Sequence, residues 1–531
     1  MTDLRTLTDE ILAQEEELKR GGGPRGAKRQ KRLNRLTVRD RLELLLDRNE
    51  AFFELGLWAG YGMYERWGTL PAAGVVCGIG RIAGRDSMIV ANDATVAAGA
   101  MFPQSVKKVL RAQRIAFNCR LPIIYLVDSS GVFLPMQDEI FPDEDDFGRI
   151  FRNNAVLSAA GISQFAAIMG NCIAGGGYLP VLCDKLLMTK GSGLYLAGPA
   201  LVKSAIGQEV TSENLGGSRM HAEISGTVDF EEKDDADCIQ RLRALIGYLP
   251  DNPVSESRKN PEIDPDSFYS LVGADGKREY DAKDLLKGIA DAGSLVEYKA
   301  GYGKTIVCCF AMMSDTPVGM LANQRLHTKT GKGEIELGGV LYSESADKAA
   351  RFVMNCNQDR IPLLFFQDVV GFMVGKAAEE SGIIRRGAKL VSAVSNSIVP
   401  KITVIVGNSF GAGHYAMCGK AYDPDFILAW PNAKYTVMGA EQAADTLVDV
   451  RKKAAAREGL NPADENLQEL REEIRSSYLT QMDIRYGAAR GWVDAVISPH
   501  KTRDTLLHLL RLVARRPIPA ASNFHTGVFQ V

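Results

Sequence analysis

Arg120-Leu-Pro-Ile-Ile-Tyr-Leu-Val-Asp-Ser-Ser-Gly131 has a counterpart further down the same chain, Arg360-Ile-Pro-Leu-Leu-Phe-Phe-Gln-Asp-Val-Val-Gly371. In both, an arginine and a proline lead into a short apolar run that closes on an aspartate and a glycine. Such a run, bounded by turn formers, reads as a strand buried on both faces. Working outward, Gly170-Asn-Cys-Ile-Ala-Gly-Gly-Gly-Tyr178 matches Gly407-Asn-Ser-Phe-Gly-Ala-Gly-His-Tyr415. Upstream, residues 39–47, 52–55 and 88–92 are answered in the same order by 280–286, 295–298 and 318–323. Matches that keep their order are the mark of an internal repeat. The chain is therefore a duplication of one α/β domain. Helical stretches at 104–118 and 345–357 alternate with strands at 122–127 and 362–366, which predicts mainly parallel pairing. Pro250, Pro253, Pro261 and Pro265 punctuate a polar stretch between the copies. The expected halves are 1–255 and 266–531, joined by a linker at 256–265.

Composition narrows the function classes. A length of 531 residues is enough for two to four domains. With 63 basic and 65 acidic side chains the net charge is −2, against a nucleic-acid-binding role. Positive charge is local: Lys19, Arg20, Arg25, Lys28, Arg29, Lys31, Arg32, Arg35, Arg39 and Arg41 crowd an N-terminal arm. That arm reads as solvated surface, or as a surface meeting an anionic cofactor or a partner subunit. Nine cysteines form no C-x-x-C pair and their number is odd, which argues against a disulfide framework or structural zinc and predicts a reducing compartment. The start has no apolar signal region, so a cytoplasmic chain is expected, or one in a mitochondrial-matrix-like compartment although no transit peptide is seen. Residues 153–183 carry no charge, yet Gln164, Asn171, Pro180 and several glycines suit a buried core better than a membrane span. Residues 4–20 read as an amphipathic helix, and 449–478 as a peripheral, charge-rich helical pair.

Chemistry points to backbone rather than side chains. Each half has a strand (165–169 and 402–406) followed by a glycine cluster and a short helix: Gly175-Gly-Gly177 and Gly411-Ala-Gly413. Glycine lets amides approach a ligand, and a helix start favours negative charge. Two amides aimed at one oxygen make an oxyanion hole, able to hold a thioester enolate. Tight helix-on-sheet packing is the plainer reading of such glycines. Gly411-Ala-Gly413-His-Tyr-Ala416 also fits the dinucleotide pattern G-x-G-x-x-A, but the next strand ends at Trp430-Pro431 without the acidic residue that pattern wants. Residues 78–84 miss the dinucleotide spacing and read as a hairpin. No G-x-S-x-G, H-E-x-x-H or Walker A motif occurs, and the six histidines form no triad. Only His414 lies in a glycine cluster. An enzyme with such a site borrows its base from a cofactor or substrate.

Further words complete the pattern: Val38-Arg-Asp-Arg-Leu42, Ala91-Asn-Asp-Ala-Thr95, Asp128-Ser-Ser-Gly131, Phe147-Gly-Arg-Ile-Phe151 and Gly198-Pro-Ala-Leu-Val-Lys203. The second half adds Gly371-Phe-Met-Val-Gly375, Gly387-Ala-Lys389 and Trp430-Pro-Asn-Ala433. On these the chain resembles, over nearly its whole length, the carboxyltransferase (β) subunits of biotin-dependent acyl-CoA carboxylases. The resemblance implies two tandem crotonase-like (ClpP-like) ββα-superhelix domains. Gly339-Val-Leu-Tyr-Ser-Glu-Ser-Ala346, Met417-Cys-Gly-Lys-Ala-Tyr422 and Met438-Gly-Ala-Glu-Gln-Ala443 are most similar to methylcrotonyl-CoA carboxylase β subunits. Gly177, Glu297-Tyr-Lys-Ala-Gly-Tyr-Gly303 and the segment 327–337 look instead like glutaconyl-CoA decarboxylase carboxyltransferases.

By that resemblance the amides of Gly175 and Gly176 hold the thioester enolate, and those of Ala412 and Gly413 hold the ureido oxygen of biotin. Ala174, Ser130, Gly131, Lys107 and Arg111 are the acyl-CoA-binding candidates; Gly371, Phe372, Gly411 and Tyr415 line the biotin pocket. The implied cofactors are carboxybiotin on a separate carrier and a coenzyme A thioester, with no metal in this subunit. The implied partners are a biotin carboxylase and biotin carrier subunit and further copies of the chain in a homohexameric core, with no nucleic acid and no membrane insertion. Carboxylation of a methylcrotonyl-like acyl-CoA is the leading reading. The alternatives are the glutaconyl-CoA decarboxylase carboxyltransferase, a propionyl-CoA or other acyl-CoA carboxylase, a plain crotonase-type hydratase or isomerase, and a silent scaffold.

Overall fold

The strands Val75–Ile82 and Arg85–Asn92 form an antiparallel hairpin, as the glycines at 78–84 suggested. Its two turn residues, Ala83 and Gly84, both have positive φ (49° and 77°), the geometry that matches the twist of paired strands. The computed structural model describes residues 3–247, 249, 259–314, 316–330, 333–457 and 467–517. Within them the chain forms two compact units, each with its own eight-stranded sheet.

The first unit is Leu12–Val254 with Ala488–Gly491. Its sheet runs Phe53–Leu55, Val75–Ile82, Arg85–Asn92, Ile123–Ser129, Gln164–Ile173, Lys185–Thr189, Phe230–Glu232, and Gly193–Tyr195 pairs the end of Gln164–Ile173. From Arg85–Asn92 onward the pairing is parallel. Parallel neighbours need crossovers, supplied by the helices Pro103–Cys119 and Phe147–Ala159. Ile89, Ile124, Leu126, Phe165, Ala167 and Leu187 are buried in one core with Leu42, Ile239 and Leu242 of the flanking helices.

The second unit is Met1–Ile11, Ser255–Gly487 and Trp492–Val531. Its sheet runs Val296–Glu297, Ile306–Met313, Thr316–Asn323, Leu363–Val369, Lys401–Phe410, Phe426–Ala429, Ala495–Val496, and Lys434–Thr436 pairs the end of Lys401–Phe410. The order repeats that of the first sheet strand for strand, down to a register shift at Val127/Ser129 and again at Gln367/Val369. Equivalent helices also start and stop alike. Ser105 Oγ accepts the N–H of Phe102 and Ser345 Oγ that of Tyr342, at 2.9 and 2.7 Å. Arg120 and Arg360 follow the two helices in left-handed conformation.

Several elements differ from expectation, each for a tertiary reason. The strands predicted at 165–169 and 402–406 run on to Ile173 and Phe410, because Asn171–Ile173 and Asn408–Phe410 find partners in late strands that local apolarity does not reveal. Part of the expected linker is tied into the second unit: Asn260 C=O accepts from Ala292 and Lys287 C=O from Glu262. Pro250, Pro253 and 256–258 lie outside the described residues. The charge-rich pair begins earlier, as Ala440–Arg457 and Leu467–Met482, with Arg471 and Arg475 bridging to Glu441; residues 458–466 lie outside the described residues.

The basic arm is not uniformly solvated. Arg41 is fully buried, with Nε 2.8 Å from Asp235 and a guanidinium nitrogen 3.6 Å from Asp128; Arg35 also pairs with Asp128 and Arg39 with Glu54. Buried carboxylates need such partners, and sequence distance hides them. The nine cysteines are all free and eight are buried. Among the described residues no helix is long and apolar enough to cross a membrane, and no group of His, Cys, Asp or Glu could hold a metal ion.

Candidate active site

Both glycine clusters sit where the longest strand of each sheet ends. In the first unit Gln164–Ile173 passes into a 3-10 turn, Ala174–Gly177, and the helix Tyr178–Val181. Ala174 stands in the left-handed region with φ 59°, where an L side chain is strained. Its counterpart Gly411 has φ 53° and carries no such strain. That turn redirects the chain so that the following amides leave the sheet. A 3-10 turn capped by Ile173 leaves the N–H groups of Ala174 and Gly175 without an intrahelical partner. Ala174 and Gly175 are exposed and Gly176 half-buried. A side chain at Gly175 would meet nothing within 4 Å, and one at Gly176 only Phe147, at 4.0 Å.

In the second unit the helix Gly411–Ala416 starts directly on the strand Lys401–Phe410. Its cap at Phe410 leaves the amides of Gly411, Ala412 and Gly413 unbonded within the helix. Ala412 is exposed, whereas Gly413 is buried: a Cβ there would lie 2.6 Å from Val369 Cγ2 and 3.3 Å from Gly371 Cα. Gly413 and Gly371 are therefore neighbours, and Gly371–Phe372 pairs in parallel with Val340–Leu341. Phe372 leans on the helix Ile383–Ser395 at Gly387. Tyr415 is half exposed beside Tyr422.

His414 lies beneath this second turn, 5% exposed. Gln367 Nε2 donates to Met417 C=O (2.8 Å), which fixes the amide and leaves Gln367 Oε1 as the acceptor for Ser409 Oγ–H (2.5 Å). Ser409 Oγ then receives Nδ1–H of His414 (2.7 Å), and Nε2 accepts from the hydroxyl of Tyr435. The imidazole is neutral, with burial pulling its pKa down to about 4. It is a strut, joining the turn to the strands Leu363–Val369 and Lys434–Thr436, and no general base.

Two carboxylates, one per unit, prop the strand ends. Asp128 accepts the N–H of Asn171 at 3.2 Å and Asp368 that of Asn408 at 2.9 Å, and neither Gly170 nor Gly407 has room for a side chain beside them. The signal for these residues was present, since Asp and Gly-Asn recur at equivalent places in both repeats. Behind the first turn lies an apolar cavity of about 30 Å³. Met101, Val109, Val127, Phe147 and Leu179 line it, with Gly176 in its wall. Nothing in the local sequence marks it, because its walls come from seven separate elements and from Met101.

The remaining expected residues fall as follows. Gly131, φ 88°, approaches Ile173 C=O, next to the first turn, and Ser130 beside it is exposed. Lys107 and Arg111 stand one turn apart on the helix Pro103–Cys119, Lys107 exposed and Arg111 half-buried. Val109, between them in sequence, reaches the cavity.

Comparison with known proteins covers the whole chain. The carboxyl transferase domain matches residues 29–526. The chain is 40% identical to the mitochondrial methylcrotonoyl-CoA carboxylase beta chain of Arabidopsis thaliana, over all of this chain and 88% of that one. It is 43% identical to the biotin-dependent 3-methylcrotonyl-coenzyme A carboxylase beta1 subunit of Mycobacterium tuberculosis, over 96% and 94% of the two chains. Among solved structures, the beta subunit of geranyl-CoA carboxylase from P. aeruginosa superposes with a TM-score of 0.86 at 32% identity, covering 99% of this chain and 96% of that one.

Proposed function

Because the chain belongs to the carboxyl transferase family, we propose that it is the subunit that moves CO2 from carboxybiotin to a short, branched acyl-CoA of the methylcrotonyl type. The observation that carries this reading is the pair of glycine turns, one per unit, each presenting unbonded amides at the end of its sheet's longest strand. In the first unit the unbonded amide at Gly175, with that of Gly176 next to it, holds the thioester oxygen as the γ-carbon, conjugated to it through the Cα=Cβ double bond, loses its proton. Ala174 and the Ser130–Gly131 loop flank that oxygen. In the second unit Ala412 and Gly413 amides bind the ureido oxygen. Gly371, Phe372, Gly411 and Tyr415 fit the rest of the bicyclic ring, since small residues leave room and Tyr415 offers an exposed aromatic face. Bound biotin supplies the CO2 and, through its ureido nitrogen, the base. The chain itself therefore needs no general base, in keeping with a neutral, fully hydrogen-bonded His414.

The cavity supports a short acyl group. At about 30 Å³ it has room for two or three water-sized groups, enough for a methyl-branched end but not for a long chain. A biotin carboxylase and carrier subunit supply the carboxybiotin, and the chain assembles as a homohexamer. The test is an assay of the chain with such a carrier subunit, ATP and bicarbonate over methylcrotonyl-, propionyl-, acetyl-, geranyl- and glutaconyl-CoA. The highest kcat/KM is expected for methylcrotonyl-CoA. A preference for geranyl-CoA, or ATP-independent CO2 release from glutaconyl-CoA alone, would sink the substrate assignment.

A further inference from the structure

The cavity behind the first turn has a mouth and a floor. Ile173 and Gly176 stand at the mouth, where the strand gives way to the turn. On the strand Ile123–Ser129, Tyr125, Val127 and Ser129 face the cavity together, as alternate residues of one strand do. Ser129 pairs with Cys172 beside the turn, whereas Tyr125 pairs with Ala166. Four residues of strand separate Tyr125 from Ser129, a depth of about 13 Å. Val90 lies beside Tyr125 on the neighbouring strand. The floor is therefore the Tyr125 ring flanked by Val90, both buried.

Buried polar groups hold that ring. Its hydroxyl accepts from Gln113 Nε2 at 3.0 Å and donates to Asn154 Oδ1 at 3.1 Å. Asn154 Nδ2 donates in turn to the carbonyl of Leu179, at 2.9 Å. Leu179 is a wall of the same cavity, on the helix that follows the glycine turn. One network thus fixes the distance from floor to wall. The duplication supplies an internal comparison. In the second unit Gln113 and Tyr125 are answered by Val353 and Phe365, both fully buried in its core. The helix equivalent to Phe147–Ala159 buries Ile383, Gly387, Leu390, Ala393 and Val394 there. The fold closes at these positions on apolar packing, so it does not require the polar set, and burying polar groups carries a desolvation cost that apolar packing avoids. What the first unit has at this place is the cavity. Resting on the acyl-CoA reading above, we propose that Tyr125 is a specificity-determining residue whose ring stops the tail of the acyl group, with Gln113 and Asn154 positioning that ring. A short branched acyl group ends above the ring; a prenyl-type tail on the same β-methyl enoyl head runs into it.

The test measures, by calorimetry on the full-length chain, the affinities of methylcrotonyl-CoA and geranyl-CoA, which share that head and differ in tail, with free CoA as the reference. The readout is the ratio of the two acyl-CoA affinities. Tyr125→Leu lowers the floor and should shift the ratio toward geranyl-CoA by about tenfold or more. Tyr125→Phe keeps the ring but cuts its bonds to Gln113 and Asn154, and should shift the ratio the same way by about threefold. Val90→Ala opens the floor from the neighbouring strand, a milder change in the core, and should also shift it by about threefold. Should Tyr125→Leu fail to fold, as a lost thermal transition would show, Val90→Ala and Tyr125→Phe carry the test. A wild-type ratio in every folded variant overturns the proposal, as does an equal loss of affinity for both acyl-CoAs, which a merely structural role would give. A wild-type ratio in Tyr125→Phe alone overturns the positioning role of Gln113 and Asn154. A wild type that binds neither acyl-CoA more tightly than free CoA overturns the acyl-CoA reading of the cavity. A wild type that discriminates by tail while the variants keep its ratio overturns only the role of Tyr125.

Discussion

At the scale of single residues the two glycine turns are related but not interchangeable. Gly176 has open space on its Cβ side, whereas Gly413 is in close contact with Val369 and Gly371. Gly176→Ala should therefore keep its thermal midpoint and lose CO2 transfer about tenfold or more, through crowding at the thioester turn. Gly413→Ala should be destabilised by about 1–3 kcal/mol through overpacking, visible as a lowered midpoint before any kinetics are run. A Gly176→Ala enzyme of full activity would remove that turn from the reaction. His414 yields a pH prediction. Its folded pKa of about 4 lies below the ordinary 6.5, so the unfolded chain binds a proton that the folded chain refuses. The neutral form's contribution is complete above pH 6.5 and is lost as pH falls toward 4, a change on the order of 3 kcal/mol. Denaturation midpoints measured across that window should fall more steeply for the wild type than for His414→Gln; parallel curves would mean that His414 titrates normally.

Among elements, the helix Val38–Leu45 is held to the first sheet by charge as well as by Val38, Leu42 and Leu45. Arg41 meets Asp235, Asp128 and the carbonyl of Met169 in the interior. Arg41→Ala leaves two buried carboxylates short of a partner and should cost about 3–5 kcal/mol, read as a drop in the denaturation midpoint. Asp235→Asn should cost less, because Arg41 keeps Asp128 and Met169. Strand and helix identities were legible from apolar runs and repeat matches, as at Ile123–Ser129 and Leu363–Val369. Their C-terminal extensions were not: Asn171–Ile173 become strand only because Gly193–Tyr195 arrives beside them. The glycine turns were legible too, whereas the left-handed backbone of Ala174 was not, since nothing in alanine's chemistry favours it.

For the whole molecule, the duplication means that each unit owns a sheet and a core. Damage should then stay local. In Arg41→Ala, hydrogen exchange should quicken in Ile123–Ser129 and Gln164–Ile173 while Leu363–Val369 and Lys401–Phe410 keep their protection; equal loss in both sheets would show that the units do not hold their stability separately. The sequence by itself determined the repeat, the buried parallel strands, the positions of both glycine clusters and the family, because these are carried by local pattern and by short words in fixed order. Only the tertiary structure decided which charges of the arm are interior struts, that His414 is a neutral brace, and that an apolar cavity backs the first turn. Each of these depends on groups far apart in the chain meeting in a place from which water has been removed, and no stretch of sequence records such a meeting.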